Sequence, residues 1–166
     1  MEMKVKVEEG QCLFVQKEST AIFKIIGYLR FNTSSGLAAK VETLNLNNEV
    51  SEIVIDMTET VFVDSTVLGL IAQLTKHPVT PIIIYKNETI YNMLRHLGFH
   101  KIFVLSKQDS ASGMNSEFEE LTCTASDSKD SLRKRLENAH KLLYEINEQN
   151  KIEFGGVVNC LKKNDQ

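Results

Sequence analysis

"VFVDSTVLGLIAQL", residues 61–74, sets Asp64, Ser65 and Thr66 between two apolar runs. Upstream, "EIVIDM" (52–57) is a short β-branched run bounded by polar residues, the pattern of a buried strand, and Asp56 closes it. Downstream, "STVLGLIAQLTK" (65–76) is rich in Leu and Ile and stops before Pro78, the pattern of a buried helix. A strand passing to a helix through three small polar residues is the joint of an α/β layer structure. Asp at the junction suits the N-cap, because its side chain accepts from an otherwise unpaired N–H of the first turn. Ser65 and Thr66 then fall inside that turn, where the positive end of the helix dipole favours negative charge. Two readings follow. The triplet is a plain helix cap, or it is a place where a phosphate is added and removed.

Outward from this joint the same alternation continues. "QCLFVQKE" (11–18) and "TAIFKIIGYL" (20–29) read as two strands linked by a short turn around Ser19 and Thr20. In "TSSGLAAKVETLNL" (33–46), Leu37, Val41, Leu44 and Leu46 form a helical stripe. "TPIIIYK" (80–86) is a strand that Pro81 allows to begin only there. "ETIYNMLRHLG" (88–98) is an amphipathic helix closed by Gly98, and "KIFVL" (101–105) is a last short strand. The order ββαβαβαβ predicts an α/β sandwich, a mixed sheet of four to five strands with parallel crossovers covered by helices.

The chain has 166 residues, 42% hydrophobic and 25% charged, enough for one packed domain with an appendage. Its formal net charge of -3 gives no basic surface for nucleic acid. No apolar run is long enough to span a bilayer, and "MEMKVKVEEG" lacks a signal core, so a cytoplasmic location is expected. Cys12, Cys123 and Cys160 are odd in number and dispersed, which predicts reduced thiols rather than disulfides or a zinc site. His96 and His100 have i, i+4 spacing without a third ligand, so no metal or other cofactor is expected. An enzyme is not expected either. Ser65 lies between Val63 and Val67 rather than in a Gly-x-Ser-x-Gly elbow, and phosphate-cradling glycine loops are absent.

Three segments in order resemble the STAS domain family, above all the bacterial anti-sigma factor antagonists. In "EIVIDMTETVFVDSTVLGLIAQL", Asp64-Ser65-Thr66 and Leu68-Gly69 match that family's Asp-Ser-Ser/Thr-Gly-Leu-Gly turn. "GYLRFNTSSGL" (27–37) is similar to its Gly-x-Leu-Asp stretch, and "NMLRHLGFHKIFVL" (92–105) to its closing helix and strand. The resemblance spans about residues 11–105 and implies a STAS-like sandwich. It further implies that Ser65 is phosphorylated by a partner anti-sigma factor acting as a serine kinase and restored by a phosphatase. Asp64, Thr66, Val67, Leu68, Arg30, Asn32 and Thr33 would then line the partner surface. Two positions depart from the pattern: Arg30 stands where the family has an acid, and Val67 where it has Gly. Arg30 keeps a second reading open, a STAS scaffold for a non-sigma regulator or signalling enzyme.

The remainder divides by composition. Residues 1–105 form the STAS-like part; 106–130, rich in Ser, Asp and Glu, read as a linker. Residues 131–163 read as a helical extension. There Leu132, Leu136, Ala139, Leu143, Ile146 and Asn150 make one stripe, with Gly155-Gly156 as a break or bend. Arg133, Lys134 and Arg135 read as a solvated face. The stripe packs on its own domain or forms an intermolecular helix, a homodimer among the options.

Overall fold

The computed structural model describes residues 9–108, 117–122 and 128–163. The first part of the chain runs β1 (Gln11–Lys17), β2 (Thr20–Leu29), α1 (Ser35–Asn45), β3 (Glu52–Val63), α2 (Ser65–Ala72), β4 (Ile82–Tyr85), α3 (Glu88–His96) and β5 (Val104–Lys107). A two-residue strand, β6 (Glu119–Glu120), and two helices, α4 (Lys129–Ile146) and α5 (Glu148–Lys163), follow.

The six strands form one sheet in the order β5-β4-β3-β2-β1-β6. β2, β3, β4 and β5 are parallel neighbours, and β1 and β6 run antiparallel at one side. The sheet is the mixed one expected, with one strand more. That strand lies in the segment read as a linker: Leu13 and Phe14 pair with Glu120 and Glu119, and Leu121 is buried.

Alternation along the central strands sorts the two faces. Ala21, Phe23 and Ile25 of β2 lie beside Ile53, Ile55 and Met57 of β3, and all join the core beneath the helices. On the opposite face a Lys24–Glu59 ion pair lies across β2 and β3. β3 runs beyond Asp56, where the sequence reading stopped it. Asp56 accepts from the Thr58 N–H at 2.9 Å and hydroxyl at 2.7 Å, a local bond that the strand absorbs. The extra residues carry β3 to Val63 and so deliver the Asp64 turn to the carboxyl end of the parallel strands.

Other boundaries moved for identifiable reasons. The α1 stripe ends at Leu44; Leu46, its C-cap, is exposed. Gly98 takes φ +80, a left-handed turn that a side chain resists, directly after α3. The turn of Phe99–Lys101 that follows lets Phe99 and Phe103 stack at 5.1 Å, which delays β5 to Val104.

The carboxy-terminal stripe is two helices, not one. Asn147 leaves helical geometry, and its side chain accepts from the Asn150 N–H at 2.7 Å, capping α5. Gly155 and Gly156 lie within α5 and do not break it. The helices fold back on one another, with His140 against Phe154 and the Asn150 side chain donating to the Leu143 carbonyl. This hairpin packs on its own domain through Ala139 and Leu143, both wholly buried. Burial of a leucine such as Leu143 contributes roughly 2 kcal/mol.

Candidate functional site

The site is built where β3 ends. Asp64 keeps extended backbone geometry, its N–H donates to the Leu29 carbonyl, and its carboxylate then does two things. One oxygen accepts from the Val67 N–H at 2.9 Å, capping α2. The other accepts from the Phe31 N–H at 2.6 Å, tying the short turn of Phe31–Thr33 to the start of the helix. Capping was legible from sequence; the second bond was not, because it joins residues far apart in the chain.

Ser65 follows as the first residue of α2 and is half-buried. Its hydroxyl lies 3.0 Å from Nε2 of His140, in α4. The other ring nitrogen, Nδ1, lies 2.8 Å from the Leu136 carbonyl. A carbonyl only accepts, so Nδ1 carries the proton; in the neutral ring Nε2 is then the acceptor and Ser65 the donor. His140 is 7% exposed.

The residues singled out from sequence separate into two groups. Arg30 and Asn32 are exposed beside Asp64 and Ser65, and Thr33 closes the same short turn. Thr66, Val67 and Leu68 are not brought to that surface: they are 4%, 0% and 2% exposed, turned into the interior. The first turn of α2 therefore holds Ser65 half-buried against His140 and anchors its next three side chains in the interior. Val67 at the family's glycine position packs into the core cluster.

Three aromatic residues at this end went unnoticed in the sequence. Tyr28 and Phe62, paired across β2 and β3, stand with ring centroids 6.4 Å apart. They are 38% and 43% exposed, and Phe31 is 38% exposed. Alternation of β2 and β3 beyond their bulges would have flagged Tyr28 and Phe62; Phe31 had no signal short of the Asp64 bond. His140 was equally hidden, since nothing in the sequence placed α4 over α2.

Chemically, this arrangement offers a hydroxyl at a helix amino terminus, one imidazole, one carboxylate and an apolar rim. The imidazole is oriented by a backbone carbonyl, and the Val67 N–H is already committed to Asp64. Among the described residues no three His, Cys, Asp or Glu side chains group to hold a metal. His96, half of the i, i+4 pair, instead meets Glu153 of α5 at 2.7 Å and holds its carboxyl below the usual range. No described helix is long and apolar enough to cross a membrane.

Comparison with known proteins agrees with this architecture. Among solved structures, an anti-sigma factor antagonist from Mycobacterium paratuberculosis superposes with a TM-score of 0.50 at 16% identity, over 58% of this chain and 85% of its own. The anti-sigma factor antagonist SpoIIAA in its unphosphorylated form gives 0.47 at 18% identity, over 61% and 89%. The Bacillus cell fate determinant SpoIIAA in the phosphorylated form gives 0.47 at 17%, over 60% and 92%. At 16% identity the Mycobacterium likeness speaks to the fold alone. No curated protein sequence matches the chain. The STAS domain model matches residues 12–111, most of the chain, from the second residue of β1 through β5. The chain belongs to the STAS domain family.

Proposed function

We propose that this STAS protein is an anti-sigma factor antagonist that switches partners at Ser65. Unphosphorylated, it would bind an anti-sigma factor; phosphorylated there, it would release it, and a phosphatase would reset it. The observation that carries this reading is the placement of the Ser65 hydroxyl. It sits at the amino end of α2, on the rim where Arg30, Phe31 and Phe62 face outward. A phosphate adds about -1.5 to -2 charge at that point. It would stand beside Asp64, whose carboxylate already occupies the helix terminus through Val67. A partner face shaped for a neutral hydroxyl and apolar rings then meets a charge it does not pair. A penalty of ~3 kcal/mol for such a buried, unpaired charge lowers affinity more than about a hundredfold.

The test is a binding series with the anti-sigma factor. Ser65→Ala should bind constitutively and Ser65→Asp poorly; equal affinity of the two, where wild type binds, rejects the switch. Mass spectrometry after incubation with the kinase and ATP should place one phosphate within residues 61–76.

Arg30 favours a second reading. It is exposed where the family's acid would stand, which reverses the sign of charge at that position. A non-sigma regulator with a complementary acidic face would fit that charge. Affinity capture that recovers such a regulator and no sigma-pathway protein would select this scaffold reading. For self-association the hairpin offers Ile152, which is 78% exposed, and Val157.

A further inference from the structure

We infer that the α4–α5 hairpin is an intramolecular cover on Ser65, and that a phosphate on Ser65 and the docked hairpin exclude one another. The biological use of this cover rests on the partner-switching reading; the exclusion itself does not.

Space is the first argument. The 3.0 Å between the Ser65 oxygen and Nε2 of His140 is a hydrogen bond's length and leaves no room for phosphorus and three oxygens between them. The imidazole cannot simply tilt aside. Leu136 holds its far nitrogen at 2.8 Å, and the Phe154 ring stands 5.8 Å from it. Nor can α4 slide closer or along α2. A Cβ built on Gly69 would lie 2.5 Å from the Ala139 carbonyl oxygen and 2.6 Å from its methyl carbon, so the helices already touch at the limit a glycine allows.

Chemistry points the same way. Nε2 accepts from the Ser65 hydroxyl while Nδ1 donates to Leu136. For the neutral ring, esterification removes the hydroxyl proton that Nε2 accepts. The bond that seats the ring on Ser65 is lost in a half-buried place, where lost hydrogen bonds are costly.

The hairpin is attached along two seams. Beside α4 an open groove of about 620 Å³, lined in part by Glu42, Asn45, Lys76 and Lys134, separates its first half from α1. Docking is therefore concentrated at Ala139, His140 and Leu143, with a second seam at the end of α3. There the Asn150 side chain donates to the Leu97 carbonyl at 2.9 Å, and Gly98 admits Ile146 and Asn147. Both seams are local, so a group that breaks them can open the hairpin without global unfolding.

The test needs no kinase. Full-length protein carrying phosphoserine incorporated at position 65 during translation is compared with unmodified protein by hydrogen exchange. Exchange across residues 131–146 should rise at least about tenfold with the phosphate, while residues 52–63 stay protected. Unmodified Gly69→Ala should show the same opening, since its methyl group expels Ala139; His140→Ala, which keeps every helix former, should show a smaller one. Unchanged or increased protection of 131–146 in the phosphoserine protein overturns the inference, the latter meaning that the phosphate is gripped rather than expelled. If the hairpin opens but no kinase modifies Ser65 and no partner distinguishes Ser65→Ala from Ser65→Asp, the switch reading falls and the cover stands.

Discussion

Asp64 is where the site and the fold share one side chain, and its removal separates what each of its bonds contributes. Asp64→Ala deletes the cap on Val67, a loss of about 1 kcal/mol for residues of this kind. It also deletes the 2.6 Å bond from the Phe31 N–H. Bonds to charged groups are worth roughly 1.5–3 kcal/mol, and water reaches this exposed contact, so the lower end applies. The sum is about 2.5 kcal/mol. Asp64→Asn keeps an oxygen for Val67 but turns an amide donor toward the Phe31 donor, so it should lose the bridge and keep the cap. Its cost should be about 1.5 kcal/mol, and Asp64→Ser should match it, being long enough to cap and too short to bridge. Urea unfolding reads all three, and with a slope of roughly 1–3 kcal/mol per molar the alanine variant should shift its midpoint by about 1 M. An alanine variant within about 0.5 kcal/mol of wild type would refute the reasoning. So would an asparagine variant as stable as wild type, because the Phe31 bond would then carry nothing.

Two further outcomes follow from buried groups. Asn150→Asp places a carboxylate against the Leu97 and Leu143 carbonyls that now accept from its amide, and should cost about 3 kcal/mol or more. Faster hydrogen exchange should appear in residues 129–163 before the sheet; uniform loosening would show that the hairpin is not a separate unit. Burial pushes the Cys12 thiol up to about 12, so at pH 8 it stays protonated and walled in, while Cys160 is exposed. Iodoacetamide should modify Cys160 readily and Cys12 only in denaturant, and rapid native alkylation of Cys12 would contradict the packing of β1.

What the sequence revealed depended on the range of the interaction. Strand and helix identities came from local periodicity, and Asp64 as a cap from its immediate neighbours, so both were legible. Gly98 was legible for the same reason. The length of β3 was not, because Asp56 resembles a strand end unless one knows that Thr58 satisfies it in place. The split of the carboxy-terminal stripe at Asn147 was disguised by heptad spacing that continues through to Asn150, although an Asn three residues before a second helical turn is a capping signal. β6 was hidden by its acidic composition: Glu119 and Glu120 contribute backbone bonds to an edge strand, and only Leu121 reaches the core. At the site, the buried side of α2 was misjudged. A segment apolar all round has no outward face to read, so Thr66, Val67 and Leu68 could be told from Ser65 only by packing. His140 depended on a contact across seventy-five positions of chain, beyond any local pattern.

The short pairing of β6 with β1 changes how the lifted hairpin would behave. β6 fastens the chain at the edge of the sheet opposite β5, and from Thr122 to the start of α4 the backbone reaches at most about 25 Å. A hairpin released from Ser65 therefore stays on a leash, at an effective local concentration on the order of millimolar. Its return is a first-order event that dilution does not slow, so a competing protein has to outbid a neighbour that never leaves.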